Sequence, residues 1–262
     1  MKVVILAGGR GARINEESRL RPKPMIEIGG MPILWHIMKY YSWFGHNEFI
    51  ICCGYKSYVI KKYFADYHLH QSDVTFDFRK GGAHMEIRSG TGGAIEPWRV
   101  TLAETGLSTE TGGRLKRVRP YIGHEPFMLT YGDGLSDADL ALLLQRHRES
   151  GGAVTLTTVQ PEGRYGVVEL DAENKATRFK EKEWRKGDWI NAGFMVMEPD
   201  IFSYLEGDGC VLERAPFEAL SAEGRLRGYK HRGFWRGMDT YADKLVLEEI
   251  WAGGRAPWKI WD

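Results

Sequence analysis

The sequence predicts an α/β fold, a mostly parallel mixed central sheet flanked by helices, and three observations carry that prediction. Short apolar, β-branched runs recur at VVILA (3–7), EFIICC (48–53) and FMLTYGD (127–133). None of them alternates with polar residues, as expected of strands covered on both faces. Stretches of helical period separate the runs, the pattern of βαβ units.

Taken in order, VVILA reads as a central strand, and PILWHIMKYYSWFG (32–45) reads as a helix with Pro32 in its first turn and Gly45 past its end. EFIICC is the next strand and SYVIKKYFADYHL (57–69) a second helix. FMLTYGD leads into a helix expected to open at about Ser136, with Asp137 and Asp139 in its first turn. That half, residues 1–150, is Rossmann-like. Between its elements VTFDFR, MEIR and WRVTLAET alternate like solvent-edged antiparallel strands around a glycine-rich RSGTGGAIEP, so an inserted hairpin region is expected over 73–105. Residues 151–262 carry shorter strands (AVTLTTV, GVVEL, ATRFKE, NAGFMVM, RLRGYKH) and a last helix, TYADKLVLEEIW, and are expected to form the substrate side of one domain spanning 1–262.

Composition narrows the class. The 262 residues are 43% hydrophobic and 27% charged, enough for a full core. A formal charge of +1 leaves no polyanion sleeve for nucleic acid and no polybasic patch for a membrane, so any cationic feature is local. The opening MKVVILAGG has an apolar run shorter than the roughly 7–15 residues of a secretory leader, and a cytoplasmic protein is expected. Three cysteines, Cys52, Cys53 and Cys210, form no CxxC pair, and with Cys52 and Cys53 inside the apolar FIICCGY they read as inert thiols in a reducing compartment.

The stretch LAGGRGARINEESRLRPKP (6–24) holds the local charge. A glycine-rich turn leaving a buried strand lets backbone N–H groups approach a phosphate without Cβ interference. The P-loop pattern fails, because no lysine followed by Ser or Thr comes after the glycines. The dinucleotide fingerprint matches only at Gly9 and Gly11, with Ile14 at the third place. By spacing alone the segment is an ordinary strand-to-loop turn or a phosphate cradle, and Arg13 and Lys23 are solvated charge or a polyphosphate clamp. Asp133 follows an apolar strand at its carboxyl end, where open α/β sheets bind ligands, yet it equally suits a turn before glycine. Asp239 reads as a helix cap with Thr240 or as a second carboxylate of the same site. EKEWRK (181–186) has the look of a surface charge run and TGGR (111–114) of a helix-opening turn.

LAGGxGxR, PKPMIEIGGxPILWHIM, TGGRLKRV, FMLTYGDG, INAGF and GFWRGMDT, in that order and along the whole chain, resemble the sugar-1-phosphate nucleotidyltransferases, most closely their cytidylyl-transferring branch. The resemblance implies joining of CTP to α-D-glucose 1-phosphate with release of pyrophosphate, Mg²⁺ as cofactor, a homo-oligomer, a part in nucleotide-sugar supply for O-antigen, and no nucleic-acid or membrane partner. It implies that Leu6, Ala7, Gly8, Gly9, Arg10, Gly11, Ala12 and Arg13 line the nucleotide with Lys23, Thr109, Arg114, Gly132 and Asp133. Arg13 and Lys23 become the catalytic cations, and Asp133 and Asp239 the Mg²⁺ ligands. Tyr131, Glu181, Lys182, Asn191 and Gly193 are assigned to the sugar phosphate.

The chemistry is consistent with these residue types. A phosphate monoester is already ionised near neutrality, its second pKa being about 6, so no general base is required. The task is to bring two polyanions together and neutralise the leaving group. Departures from the family pattern are Ala12 for threonine, Arg21 for lysine, Glu183 for proline and Ala192 for glycine. They leave open another sugar or base, thymidylyl or uridylyl transfer included, and a chain that binds a nucleotide sugar without turning it over. A dehydrogenase is a weaker alternative, with no acidic residue clearly placed for a ribose.

Overall fold

The computed structural model describes residues 1–11, 14, 20–70, 72–79, 84–89, 96–160, 167–180 and 188–261. The expectations for Ala12, Arg13, Glu181, Lys182 and Glu183 therefore lie outside the described residues.

The first half runs β1 (Lys2–Leu6), the short strands β2 (Glu27–Ile28) and β3 (Met31–Pro32), helix α1 (Ile33–Trp43) and β4 (Glu48–Cys53). Helices α2 (Ser57–Ala65) and α3 (Tyr67–His70), strands β5 (Ser72–Asp77), β6 (His84–Ser89) and β7 (Arg99–Glu104), and helices α4 (Thr111–Arg117) and α5 (Arg119–Ile122) follow. Then come β8 (Phe127–Tyr131), β9 (Gly134–Ser136), α6 (Leu140–Ser150), β10 (Val154–Val159), β11 (Val167–Leu170), β12 (Ala176–Lys180) and β13 (Trp189–Met197). Helix α7 (Ala215–Ala222), β14 (Leu226–Lys230), β15 (Trp235–Gly237) and α8 (Tyr241–Ala252) close the chain.

The central sheet has the order β12-β11-β13-β8-β1-β4-β7, with β10 pairing β13 and β14. Strands β8, β1, β4 and β7 are mutually parallel, as the unbroken apolar runs require, and antiparallel pairs begin at β13. Alternate residues feed two cores. Val3, Ile5, Phe49 and Ile51 enter one, and Val4, Ile50 and Cys52 the other, so both faces of VVIL and FIICC are buried. Chain order reverses between β1, which crosses to β4 on one side, and β8 on the other, and the crevice at their carboxyl ends is where a ligand fits in an open α/β sheet.

Several local expectations need correction. WRVTLAET is not part of the hairpin insertion; its strand β7 pairs parallel with β4 at the edge of the main sheet, and the antiparallel hairpin is β5–β6 alone. Alternation was misleading because an edge strand is half exposed whichever sheet it joins. The helix expected from Ser136 begins at Leu140, with the Asp139 side chain accepting the Leu142 N–H, and Ser136 lies on β9. SYVIKKYFADYHL is broken at Asp66 into α2 and α3. Pro32 precedes α1 rather than entering it, while Gly45 follows the helix at φ +82°, as expected of a C-terminal glycine.

The terminal APWKIW segment docks on its own domain, with Trp258 fully buried and Trp261 nearly so, edge-on to Trp35 and His36 of α1. His36 Nε2–H donates to the Ile28 carbonyl at 2.8 Å, and the Trp258 indole N–H points at His36 Nδ1 at 3.4 Å. Burial lowers the His36 ring from 6.5 to about 4. Between those values the unfolded chain takes up a proton that the folded chain refuses. Stability is therefore full above pH 6.5 and falls as the pH drops toward 4, by about 3 kcal/mol from this ring. Urea unfolding of wild type and His36→Gln across that window should show the wild-type curve falling more steeply; equal slopes would remove His36 as the cause.

Candidate active site

The carboxyl ends of β1 and β8 open into a cavity of about 640 Å³ lined from both halves of the chain. Residues Leu6 to Gly9 form its floor where β1 ends, and Gly132 lies against β1, its N–H donating to the Leu6 carbonyl at 3.0 Å. A Cβ on Gly132 would stand 3.0 Å from that carbonyl and 2.9 Å from Pro24, so only glycine allows the approach.

Asp133 leaves β8 immediately beyond this contact. Asp239 is 106 positions later in the numbering, and a short antiparallel ladder brings it alongside: Gly134 pairs with Gly237, and the Met238 N–H donates to the Asp133 carbonyl at 2.8 Å. The helix cap proposed for Asp239 belongs to Thr240, whose hydroxyl accepts the Asp243 N–H while Asp243 returns the bond in a capping box. The Asp239 carboxylate turns into the cleft instead.

Lys23 meets both carboxylates. Its Nζ lies 2.5 Å from Asp133 Oδ2 and 2.8 Å from Asp239 Oδ1. A single 3-10 turn between Pro22 and Pro24 carries it, closed by the Met25 N–H on the Pro22 carbonyl at 2.8 Å. Burial alone would lower the Lys23 ammonium, but the facing carboxylates outweigh it and raise it, so the group stays charged. Its contribution to stability is present below the ordinary lysine value of 10.5 and is lost only as pH rises past the raised folded value.

Arg114, assigned to the base by resemblance, is 5% exposed and its donors are largely taken. It reaches Thr105 Oγ1 at 2.7 Å and the carbonyls of Gly106 at 2.8 Å, Gly8 at 3.1 Å and Cys53 at 3.3 Å. It thereby ties the ends of β1, β4 and β7 together behind the glycine floor. A Cβ on Gly8 would fall 2.0 Å from its Nη1. Thr109 is buried beside it and lines the cavity. TGGR does lie in the first turns of α4, yet its glycines serve a second purpose. The Gly112 and Gly113 N–H groups donate to the Cys210 carbonyl, and a Cβ on Gly113 would come within 2.5 Å of the Asp208 carbonyl.

On the side of the cleft assigned to the sugar phosphate by resemblance, Tyr131 Oη donates to Glu213 Oε1 at 2.5 Å and accepts from Asn191 Nδ2 at 3.1 Å, and Asn191 Oδ1 accepts the Gly193 N–H at 2.9 Å. Burial and the facing Glu213 carboxylate hold the Tyr131 hydroxyl well above its ordinary value, so it keeps its proton. Gly193, at φ +77°, stands behind Asn191 rather than in the lining, and Arg10 is exposed and also outside it. Leu6, Ala7, Gly8, Gly9, Gly11, Lys23, Thr109, Arg114, Tyr131, Gly132, Asp133, Asn191 and Asp239 all line the one cavity. Sequence reasoning missed Glu213, whose other oxygen accepts the Thr111 hydroxyl at 2.6 Å, and Trp235, which donates to the Ala192 carbonyl at 2.7 Å. VLERAP reads only as the approach to a helix, so nothing in its pattern marks Glu213.

Among the described residues no group of three or more His, Cys, Asp or Glu side chains is arranged for a metal. Two carboxylate oxygens do converge on one cation, an all-oxygen pair of the kind that holds Mg²⁺ beside phosphate oxygens and water.

A glycine-floored cleft at the reversal point of an open α/β sheet, faced by a lysine and two carboxylates, defines a nucleotide-binding α/β protein equipped for phosphate chemistry. The chain belongs to the nucleotidyl transferase family, whose family model matches residues 2–218. It is 48% identical over 263 residues to the glucose-1-phosphate cytidylyltransferase of Salmonella typhi, covering 100% of both chains. It is 42% identical over 262 residues, again covering 100% of both, to the probable glucose-1-phosphate cytidylyltransferase of Bacillus subtilis. The fold matches a UDP-glucose pyrophosphorylase crystal structure, complexed with UDP-glucose, at a TM-score of 0.75 and 17% identity, over 97% of this chain and 99% of that one.

Proposed function

We infer that the chain transfers the cytidylyl group of CTP to α-D-glucose 1-phosphate, giving CDP-glucose and pyrophosphate. The observation that carries a phosphoryl-group reaction is the meeting of Lys23, Asp133 and Asp239 beside the glycine floor. The full-length likeness to relatives named for this reaction supports cytidine as the base and glucose as the sugar. A sugar-phosphate oxygen forms the new bond to the α-phosphorus, the bond from that phosphorus to the β-bridging oxygen breaks, and its electron pair leaves with pyrophosphate.

Residues 6–9 hold the nucleotide by close backbone approach, which the glycines permit. Lys23 offers an ammonium to phosphate oxygens, and Tyr131, Asn191 and Glu213 offer hydroxyl, amide and carboxylate groups to the sugar. Arg13 on the triphosphate, and Lys182 and Glu181 on the sugar phosphate, complete the reading by resemblance. Asp133 and Asp239 fit Mg²⁺, which supplies neutralisation of the charge that builds on the leaving pyrophosphate. A homo-oligomer belongs to the same reading, supported by the exposed Phe76, Phe78, Met85 and Ile87 of the β5–β6 hairpin. Free cysteines, two of them buried, support a reducing cytoplasm. No helix among the described residues is long and apolar enough to cross a membrane.

Pyrophosphate release measured across CTP, UTP, dTTP and GTP, each paired with a panel of sugar 1-phosphates, should be fastest for CTP with glucose 1-phosphate. Faster release with UTP or dTTP would move the chain to another branch of the family. Tight CTP binding without release would make it a binding protein.

A further inference from the structure

Lys23 does more in this geometry than wait for phosphate. Its ammonium touches both Asp133 and Asp239, its side chain is 10% exposed and that of Asp239 is 11%. The two carboxylate oxygens are held no further apart than the two contacts laid end to end. Like charges that close repel, and a cation between them is what makes the arrangement favourable. The three residues come from separate frames. Asp133 and Asp239 are set by the β9–β15 ladder, and Lys23 by the proline-bracketed turn. The backbone of that turn is fixed, but a lysine stem has four rotatable carbons, so the ammonium can change partners without moving the chain.

A divalent ion held by these oxygens sits about 2.0–2.1 Å from them if it is Mg²⁺. An ammonium 2.5 and 2.8 Å from the same atoms occupies the same place, and two cations cannot share it. We propose that Lys23 is a placeholder cation: it holds Asp133 and Asp239 together in the nucleotide-free chain, keeps free metal out, and gives up the position when a triphosphate draws its ammonium away. The proposal rests on the two-carboxylate metal reading above and adds an order of assembly. Metal enters with the nucleotide, and the two ligands favour each other's binding by the same factor.

Mn²⁺ serves as the probe, with its binding to the nucleotide-free chain followed by electron paramagnetic resonance. Wild type should bind it weakly. Lys23→Met, close in shape but without charge, should bind it more tightly by about tenfold or more, within the usual range of coupling between sites. Adding Asp239→Asn to Lys23→Met should abolish the gain, and Lys23→Arg, which keeps the charge, should bind as weakly as wild type. Thermal melts establish that each variant is folded. A folded Lys23→Met chain that binds Mn²⁺ no better than wild type overturns the placeholder role. The metal reading is judged separately, by water-proton relaxation of Mn²⁺ with CTP. Enhancement on adding wild type that is lost in Asp239→Asn keeps that reading, and equal enhancement in both sinks it together with the placeholder.

Discussion

Asp133→Asn or Asp239→Asn is expected to slow turnover by about a hundredfold or more while the protein remains folded, because on the proposed Mg²⁺ reading neutralising the leaving group lowers the barrier by several kcal/mol. The fold should tolerate either change for an electrostatic reason. Lys23 faces two carboxylates, so removing one still leaves it paired with the other. Asparagine keeps the shape and an oxygen toward the ammonium. The β9–β15 ladder that positions both residues is made of backbone bonds that neither side chain supports. The loss should therefore fall on kcat more than on the melting temperature. Steady-state pyrophosphate release and thermal unfolding, measured on both variants, check the two halves of the statement. Turnover near wild type in either variant would detach that carboxylate from the chemistry.

Arg114→Met is expected to act in the opposite way, on stability first and on nucleotide binding as a consequence. Among the described residues the guanidinium makes no ion pair with a carboxylate, and burial lowers it from its ordinary value. What compensates it is a set of oxygens at the ends of three parallel strands: Gly8 after β1, Cys53 on β4, and Thr105 and Gly106 after β7. A buried acceptor left without a donor costs about 1–3 kcal/mol. Some of these oxygens keep other partners, since the Tyr55 N–H also donates to Gly8 and the Thr105 N–H to Cys53. With two acceptors, Thr105 Oγ1 and Gly106 O, losing this donor, a loss of roughly 2–6 kcal/mol is expected, a large part of the roughly 5–15 typical of a folded domain. Arg114→Lys should recover only a fraction, because one point charge cannot serve acceptors spread over three strand ends. Urea unfolding of both variants measures this. Unchanged stability with only a raised KM for CTP would mean that Arg114 acts on the base alone and does not brace the floor.

The two cases differ in how far the sequence reveals them. Runs such as VVILA, EFIICC and FMLTY announce buried strands because a strand covered on both faces must be apolar at every position, whatever lies beside it. Helix α8 is equally legible, although the cap is Thr240 with Asp243 rather than Asp239. Glycine at positions 8 and 132 likewise marks places where backbone must come close to something. In each case the signal lies within a few residues of the feature it reports.

Local pattern could not say which partner each close approach meets. WRVTLAET joined the main sheet because β4 offers it a parallel edge, a fact about β4 and not about its own alternation. The Gly8 and Gly54 positions are closed to side chains by Arg114, which the chain delivers from α4. Lys23 reaches Asp133 across 110 positions and Asp239 across 216, and Glu213 reaches Tyr131 across 82. The sequence by itself determined the α/β class, the strand ends that carry the cleft, and the residue types able to handle phosphate. Tertiary structure alone decided that those residues share one cavity, because strand order and a three-residue ladder, neither of which leaves a periodic trace, choose which distant side chains become neighbours.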